Sequence, residues 1–275
     1  MFIDTSQTEI YRGKCEDGLA ELEDSSVQLV LTSPPYNVGK EYEDTQTLDA
    51  YLDWQSSIIR ECYRVLSPTG SICWQVGNSI EKEKGSTEVV PLDCIFYPIF
   101  KDLGFKLRNR IVWTFSHGLH CSNRFSGRHE TILWWSKSDD FTYNLDPVRV
   151  PQKYPGKKYY KGPKKGQLSS NPLGANPGDV WPIPNVKHNH VEKTSHPCQF
   201  PVELAGTLIL SLSNKGDMVV DPFAGSCTTG VAAAIHERRC VCMELYEPYA
   251  DEGQKRLSLL KSGSLKVRSD RWKGS

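Results

Sequence analysis

Two short stretches of this chain hold residues whose types and spacing could do chemistry. The first is Thr32-Ser33-Pro34-Pro35-Tyr36-Asn37. Consecutive prolines fix the backbone and remove two N–H donors, so the carbonyls there are rigid acceptors. Ser33 adds a hydroxyl and Tyr36 a flat ring. An exocyclic amine on a nucleobase needs this combination, because its lone pair is delocalised into the ring. Oxygens that accept its two N–H hydrogens favour tetrahedral geometry and aim the lone pair at an electrophile. A tyrosine ring can hold a base flipped out of a duplex by stacking. Taken alone, the same residues also describe a prolyl turn that caps a strand.

The second stretch runs from Asp217 to Glu237 and is followed by Glu244. The run from Gly216 to Gly230 reads as a strand, a tight loop with Ala224-Gly225-Ser226, and the start of a helix. That helix runs from about Thr228 to Glu237, and Arg239 to Glu244 forms the next strand. Small residues in the loop let the backbone pass close to a ligand. Amides at the helix start can hold a carboxylate or phosphate. An acidic residue at the end of the next strand can accept from both ribose hydroxyls of a nucleoside. The usual Gly-x-Gly-x-x-Gly is absent, and a tight turn with a surface glutamate would leave the same pattern.

The elements that position these stretches follow from periodicity. Ser26 to Thr32 is a β-branched, apolar run stopped by prolines, which predicts a buried strand. Leu48, Leu52, Gln55, Ile59, Cys62 and Leu66 recur at helical steps. Pro68-Thr69-Gly70 turns the chain into a strand at Ser71–Val76. Leu92 to Leu103 is a helix closed by Gly104, and Lys106–Trp113 and Glu130–Ser136 are two more strands. Strands alternating with helices predict an α/β fold with a largely parallel sheet. From Pro147 to Pro201 prolines and glycines crowd in and no period holds, which predicts a loop-rich insertion. A helix then spans Pro201–Ser213.

Composition sets the bounds. The chain has 275 residues, 38% of them hydrophobic, enough for one large domain with a core. No apolar run is long enough to cross a membrane. The first residues lack the features of a signal peptide, so a cytoplasmic location is expected. Nine cysteines without a Cys-x-x-Cys argue against a disulfide framework or a zinc site. Net charge is zero, yet no acidic residue lies between Asp146 and Asp179. That stretch carries Arg149, Lys153, Lys157, Lys158, Lys161, Lys164 and Lys165, interleaved with Tyr154, Tyr159 and Tyr160. Such a segment suits a phosphate backbone, or is a solvated lysine-rich loop.

Together these segments resemble the DNA amino-methyltransferases that modify N4 of cytosine or N6 of adenine. The likeness covers most of the chain outside 147–190. Thr32 to Asn37 looks like the family's catalytic motif, and Asp221 to Ser226 like its motif for S-adenosylmethionine (SAM). His196-Pro197-Cys198-Gln199-Phe200-Pro201 is similar to the segment that closes over SAM. Arg128-His129-Glu130 with Trp134-Trp135-Ser136-Lys137 is similar to a late strand motif. The catalytic motif comes first, which resembles the circularly permuted β group.

The resemblance implies a Rossmann-like methyltransferase domain built from 1–146 and 196–275, with a target recognition region inserted at 147–195. It implies that Asp221, Phe223 and Glu244 hold the adenosine of SAM, with Pro222 and Ala224 also lining the cofactor. Gly225, Ser226 and Thr228 would meet its methionine end, with Gln199 and Phe200 closing over it. Ser33 and the Pro34 carbonyl would take the amine hydrogens, with Pro35 stiffening the corner and Tyr36 stacking. The lysines at 153, 157, 158, 161, 164 and 165 would neutralise phosphates, and Lys187 and His188 would reach base edges. No metal is implied. The implied partners are duplex DNA with a flipped base, a cognate restriction endonuclease and a second copy of the chain. Two departures stand out. Cys227 replaces a family glycine, and its Cβ is expected to narrow the methionine side of the pocket. Lys14 stands where an aspartate is common near adenine, a contact expected either to pass to Glu16 or Asp17 or to be missing.

Ser33 favours N4 of cytosine, since N6-adenine enzymes more often carry Asp or Asn there; N6-adenine is the alternative. RNA or protein methylation, and a DNA-binding relic without catalysis, are further readings. Pro197-Cys198-Gln199 copies the tripeptide around the nucleophile of C5-cytosine enzymes, but it lies outside the catalytic strand end. Cys198 is therefore expected to be a small packed residue.

Overall fold

The computed structural model describes residues 3–37, 46–83, 86–118 and 120–268. In chain order the elements are β1 (Thr8–Arg12), α1 (Cys15–Ala20), β2 (Val27–Thr32), α2 (Leu48–Val65), β3 (Leu66–Val76), β4 (Asn78–Glu83), β5 (Ser86–Pro91) and α3 (Leu92–Asp102). They continue with β6 (Lys106–Thr114), β7 (His129–Ser136), β8 (Val180–Trp181), α4 (Val202–Leu212), β9 (Met218–Asp221), α5 (Thr228–Ile235), β10 (Arg239–Glu244) and α6 (Glu247–Lys261). Eight strands form one sheet in the order β1-β10-β9-β2-β3-β7-β6-β8, and β4 and β5 pair as a separate hairpin.

The five strands from β1 to β3 are mutually parallel, and β7 runs antiparallel between β3 and β6. Helices cover both faces, which is why the central strands are apolar on both sides. Alternate residues sort by face. Leu29, Leu31, Cys73, Val219, Cys240 and Cys242 pack with α4 and α5. Val30, Ile72, Trp74, Val220 and Met243 pack with α1, α2 and α3. The Cys240/Cys242 alternation is thus one face of a buried strand. The expected sheet and helices are present, with one strand longer than expected. β3 already starts at Leu66, because a register shift between Val27 and Leu29 absorbs the Pro68-Thr69-Gly70 segment inside the strand.

Chain direction fixes where a ligand can sit. The segment after β9 crosses to β10 on one side, while the segment after β2 crosses to β3 on the other. A crevice therefore opens beyond the C-terminal ends of β9 and β2, the usual ligand position in such sheets. The loop after β2 is Ser33-Pro34-Pro35-Tyr36, and the loop after β9 is Pro222 to Cys227. Asn37 sits in the left-handed region at φ 55° and pairs with Gln46 through its side-chain amide, at 2.8 and 2.9 Å. That pairing ties together the two ends of the 38–45 segment, which lies outside the described residues.

Residues 147–195 between β7 and α4 are mostly irregular. Their only regular pieces among the described residues are a 3-10 turn at Asp146–Val148 and β8, which extends the sheet beside β6. Trp113 Nε1 donates to the Ile183 carbonyl at 2.7 Å, with Trp181 and Ile183 buried beside it. No helix among the described residues is long and apolar enough to cross a membrane.

Cys227 precedes α5 with φ 61°, a conformation that disfavours a Cβ. Its side chain is buried and points away from the crevice, with Sγ 3.3 Å from Cys242 Sγ. The expected narrowing of the methionine pocket therefore does not occur. The neighbours make room instead: a Cβ added to Gly253 on α6 would lie 2.8 Å from Cys227 Cβ. Gly253→Ala should destabilise the fold by about 1–3 kcal/mol in a urea titration, through overpacking. Adding Cys227→Gly should recover most of that loss; an undiminished loss in the double variant would refute this packing.

Candidate active site

A crevice of 460 Å³ opens where the strand order predicts it. Its lining includes Ser33, Pro34, Pro35 and Tyr36 from the first loop, and Pro222, Phe223, Ala224, Gly225, Ser226 and Thr228 from the second. Glu244, Gln199 and Phe200 also line it. One residue expected there does not. Asp221 is fully buried behind the loop, and all of its bonds point inward. Its Oδ1 accepts from Thr32 Oγ1 at 2.6 Å and from the Phe223 amide at 3.1 Å. Its Oδ2 accepts from Thr229 Oγ1 at 2.6 Å. The carboxylate joins the end of β2 to the loop after β9 and to the start of α5.

Glu244 stands at the crevice itself. Its Oε2 accepts from the Gly225 amide and its Oε1 from the Tyr246 amide, both at 2.7 Å. Each oxygen keeps a lone-pair direction for a further donor. Burial raises its pKa from the ordinary value, and the backbone amides of Tyr246, Gly225 and Leu245 pull it back. Gly225 has φ +53°, and a Cβ there would lie 2.9 Å from His196 Nε2. His196 therefore sits directly over the loop, and its ring meets Tyr249 edge-on at 4.5 Å.

Beneath the loop lies Arg256, a residue that the sequence patterns did not single out. Its buried guanidinium donates to the Ser226 carbonyl at 2.6 Å and to Thr228 Oγ1 at 3.0 Å. A fixed cation and the amides of α5 together favour an anionic ligand group at Ser226–Thr228. Trp54 was also missed. It forms part of the opposite wall, edge-on to Phe223 at 5.6 Å, and donates to Glu16 Oε1 at 2.7 Å. Lys14 and Glu16 border the crevice, while Asp17 does not. Tyr246 and Tyr249 complete the wall from the start of α6.

At the other end, half-buried Tyr36 bonds through its hydroxyl to Ser33 Oγ at 3.1 Å and donates to Glu130 Oε2 at 3.3 Å. The Pro35 carbonyl accepts from Tyr51 of α2 at 2.7 Å, so it is held rather than offered to a ligand. Gln199 spends its amide inside its own segment: Oε1 accepts from Thr194 and Nε2 donates to the Glu192 carbonyl. Cys198 departs from the expectation of a packed residue. It is exposed at the crevice rim, because its turn faces outward.

The basic residues form two groups. Lys153, Lys157, Lys158, Lys161, Lys164 and Lys165 are exposed on an irregular arm, closed by a Lys158–Leu168 bridge. None of them borders the crevice. Lys187 and His188 are exposed in the turn that follows β8, and the Lys187 charge is felt at Glu130.

Burial lifts the Asp221 pKa from 3.8 to about 6, against the pull of its three donors. A raised carboxyl stabilises the fold fully below its unfolded pKa, and loses that contribution as pH rises through about 6. Wild type should therefore lose stability relative to Asp221→Asn as pH rises from 4 through 6. Denaturant midpoints of the two ligand-free proteins that run parallel across this range would contradict the assignment.

Known proteins resemble this chain in sequence and in fold. The family model described as DNA methylase matches residues 27–255. Type II methyltransferase M.BglII of Bacillus subtilis is 50% identical over 242 residues, covering 88% of this chain and 66% of M.BglII. The DNA adenine methyltransferase YhdJ of Escherichia coli K12 is 33% identical over 251 residues, covering 88% of this chain and 81% of YhdJ. The structure of TTHA0409 from Thermus thermophilus, solved in complex with S-adenosyl-L-methionine, superposes with a TM-score of 0.69 at 27% identity. That match covers 93% of this chain and 95% of TTHA0409. By sequence, by fold and by the two loops that share one crevice, this chain belongs to the DNA methylase family.

Proposed function

We propose that this chain transfers a methyl group from SAM to N4 of cytosine in duplex DNA, as the modification half of a restriction-modification system. The observation that carries the reading is the crevice itself. Ser33-Pro34-Pro35-Tyr36 lines one part of it, and the Gly225 loop with Glu244 another.

The residues present fit SAM. A volume of 460 Å³ lies within the ~300–1,000 Å³ typical of pockets for ligands of this size. Glu244 can accept from ribose hydroxyls, and Trp54 and Phe223 offer apolar walls for a purine. Ser226 and Thr228, backed by Arg256, suit a carboxylate. Asp221 acts from behind, by holding the loop in place. SAM supplies an electrophilic methyl on a sulfonium.

The chain's own residues do the rest. The Pro34 carbonyl and Ser33 Oγ accept the two amine hydrogens, which pyramidalises the nitrogen and directs its lone pair. Tyr36 holds the extruded base by stacking, at an unstacking cost of a few kcal/mol. Positioning supplies much of the acceleration. The amine proton leaves after methyl transfer, so no strong general base is needed. Lysines of the 153–165 arm neutralise phosphates, while Lys187, whose charge is felt at Glu130, and its neighbour His188 meet the base or its neighbours. Ser33 at the head of the motif favours cytosine. The similarity to YhdJ favours the alternative, N6 of adenine.

Nucleoside analysis of duplex DNA incubated with the protein and labelled SAM should reveal N4-methylcytosine. N6-methyladenine alone would move the assignment to adenine, and label in RNA or protein but not DNA would overturn the substrate class. Cys198→Ala should retain methyl transfer within a few-fold, because attack on the amine needs no thiolate. Loss of transfer with SAM binding intact would instead favour carbon methylation through a covalent thioether.

A further inference from the structure

A serine hydroxyl is an ambiguous acceptor. It carries one hydrogen as well as two lone pairs, and the hydrogen rotates to suit its surroundings. If that hydrogen points into the crevice, Ser33 repels an amine N–H instead of receiving it. The proposed chemistry therefore requires something to turn the hydrogen away.

The structure contains a chain of groups placed where it can do this. Ser33 Oγ lies 3.1 Å from the Tyr36 hydroxyl, which donates to Glu130 Oε2 at 3.3 Å. The same carboxylate oxygen accepts from Gln75 Nε2 at 2.6 Å. Glu130 is on β7 and Gln75 on the adjacent β3, so the acceptor end is anchored in the sheet. The Cε2 edge of Tyr36 abuts Gly77, where an added Cβ would lie only 3.2 Å away. The tyrosine is thus held at its edge and at its hydroxyl while it lines the crevice.

An ionised carboxylate can only accept. The Tyr36 hydrogen is therefore committed to Glu130, and the Tyr36 oxygen, which Gln75 also approaches, can only accept from Ser33. Both lone pairs of Ser33 then remain for the substrate. We propose that Glu130 is a positioning residue that acts through the Tyr36 hydroxyl to fix Ser33 as a hydrogen-bond acceptor toward the target amine. This rests on the amine-methylation reading above. No proton moves along the chain before methyl transfer; its polarity alone is set.

Acid should abolish the effect. Protonated Glu130 no longer obliges Tyr36 to donate, and the chain can reverse. Burial raises the Glu130 pKa from the ordinary value, while the Gln75 and Tyr36 hydrogen bonds and the charges of Lys187 and His129 oppose that shift. Cys198 faces the Tyr36 end of the chain.

The test is steady-state kinetics on duplex DNA for wild type, Glu130→Gln, Tyr36→Phe and the double variant, with SAM affinity measured separately by calorimetry. Each single variant should lower kcat by about tenfold or more, as for loss of one preorganised hydrogen-bonding group, with SAM affinity unchanged. The double variant should be no slower than the slower single, because both cut one chain. The fall of kcat toward acid pH should be present in wild type and absent in both singles. Wild-type kcat and an intact acid limb in Glu130→Gln would overturn the proposal while leaving amine methylation standing, as would losses that multiply in the double variant. Should Glu130→Gln not fold, Tyr36→Phe alone decides, since it must show the same loss of the acid limb. A wild type that methylates no amino group would sink the underlying reading, and the proposal with it.

Discussion

The Asp221 carboxylate takes hydrogen bonds from Thr32 at the end of β2, Thr229 in α5 and the amide of Phe223. Thr32 is bonded directly to Ser33, and Phe223 lies in the loop that carries Gly225. One buried anion thus sets the separation between the two loops that must face each other. Burying it raises its pKa, a cost in the ionised form that three donors partly offset. A hydrophobic residue of similar size would avoid this cost but would not fix two loops in register. The desolvated carboxylate is better read as a device for position than for stability.

From that anchor the architecture follows. Parallel strands deliver their C-terminal ends to one edge, and the reversal of strand order between β9 and β2 opens the crevice there. Gly225 gives the backbone a left-handed turn under His196, and Glu244 receives the Gly225 amide from the neighbouring strand. Arg256 and the start of α5 make the far end electropositive. Tyr36, Glu130 and Gln75 make the near end a polar, oriented surface. The two ends of the crevice are therefore chemically distinct along one continuous wall.

Much of this was legible in the sequence because the central elements are apolar on a clear period. Val27–Thr32, α2, α3, α4 and the β9–α5–β10 unit all stand where their patterns put them. β1, the β4–β5 hairpin and α6 were not singled out, since short or polar segments carry weak periodic signals. In α6 the buried residues Tyr249, Gly253, Arg256 and Leu257 include a glycine and a charge, which disguise the stripe. The site was legible as motifs but not as roles. Spacing marks Asp221 as acidic at a strand end, yet cannot say that it faces away from the ligand. Spacing also marks Cys227 as a missing glycine, yet its Cβ points into a gap left by Gly253. Trp54 reads as one more helix residue until the fold turns it toward Phe223. The Cys198 turn faces solvent for reasons of tertiary packing that no local pattern records.

The central claim is geometric, and a structure of the protein with duplex DNA and an unreactive SAM analogue tests it most directly. The account predicts an extruded base against Tyr36, with its amino nitrogen between Ser33 Oγ and the Pro34 carbonyl. The analogue's atom in place of the transferable methyl should lie about 3–3.5 Å from that nitrogen. An analogue that binds elsewhere, or that turns this atom away from residues 33–36, would contradict it.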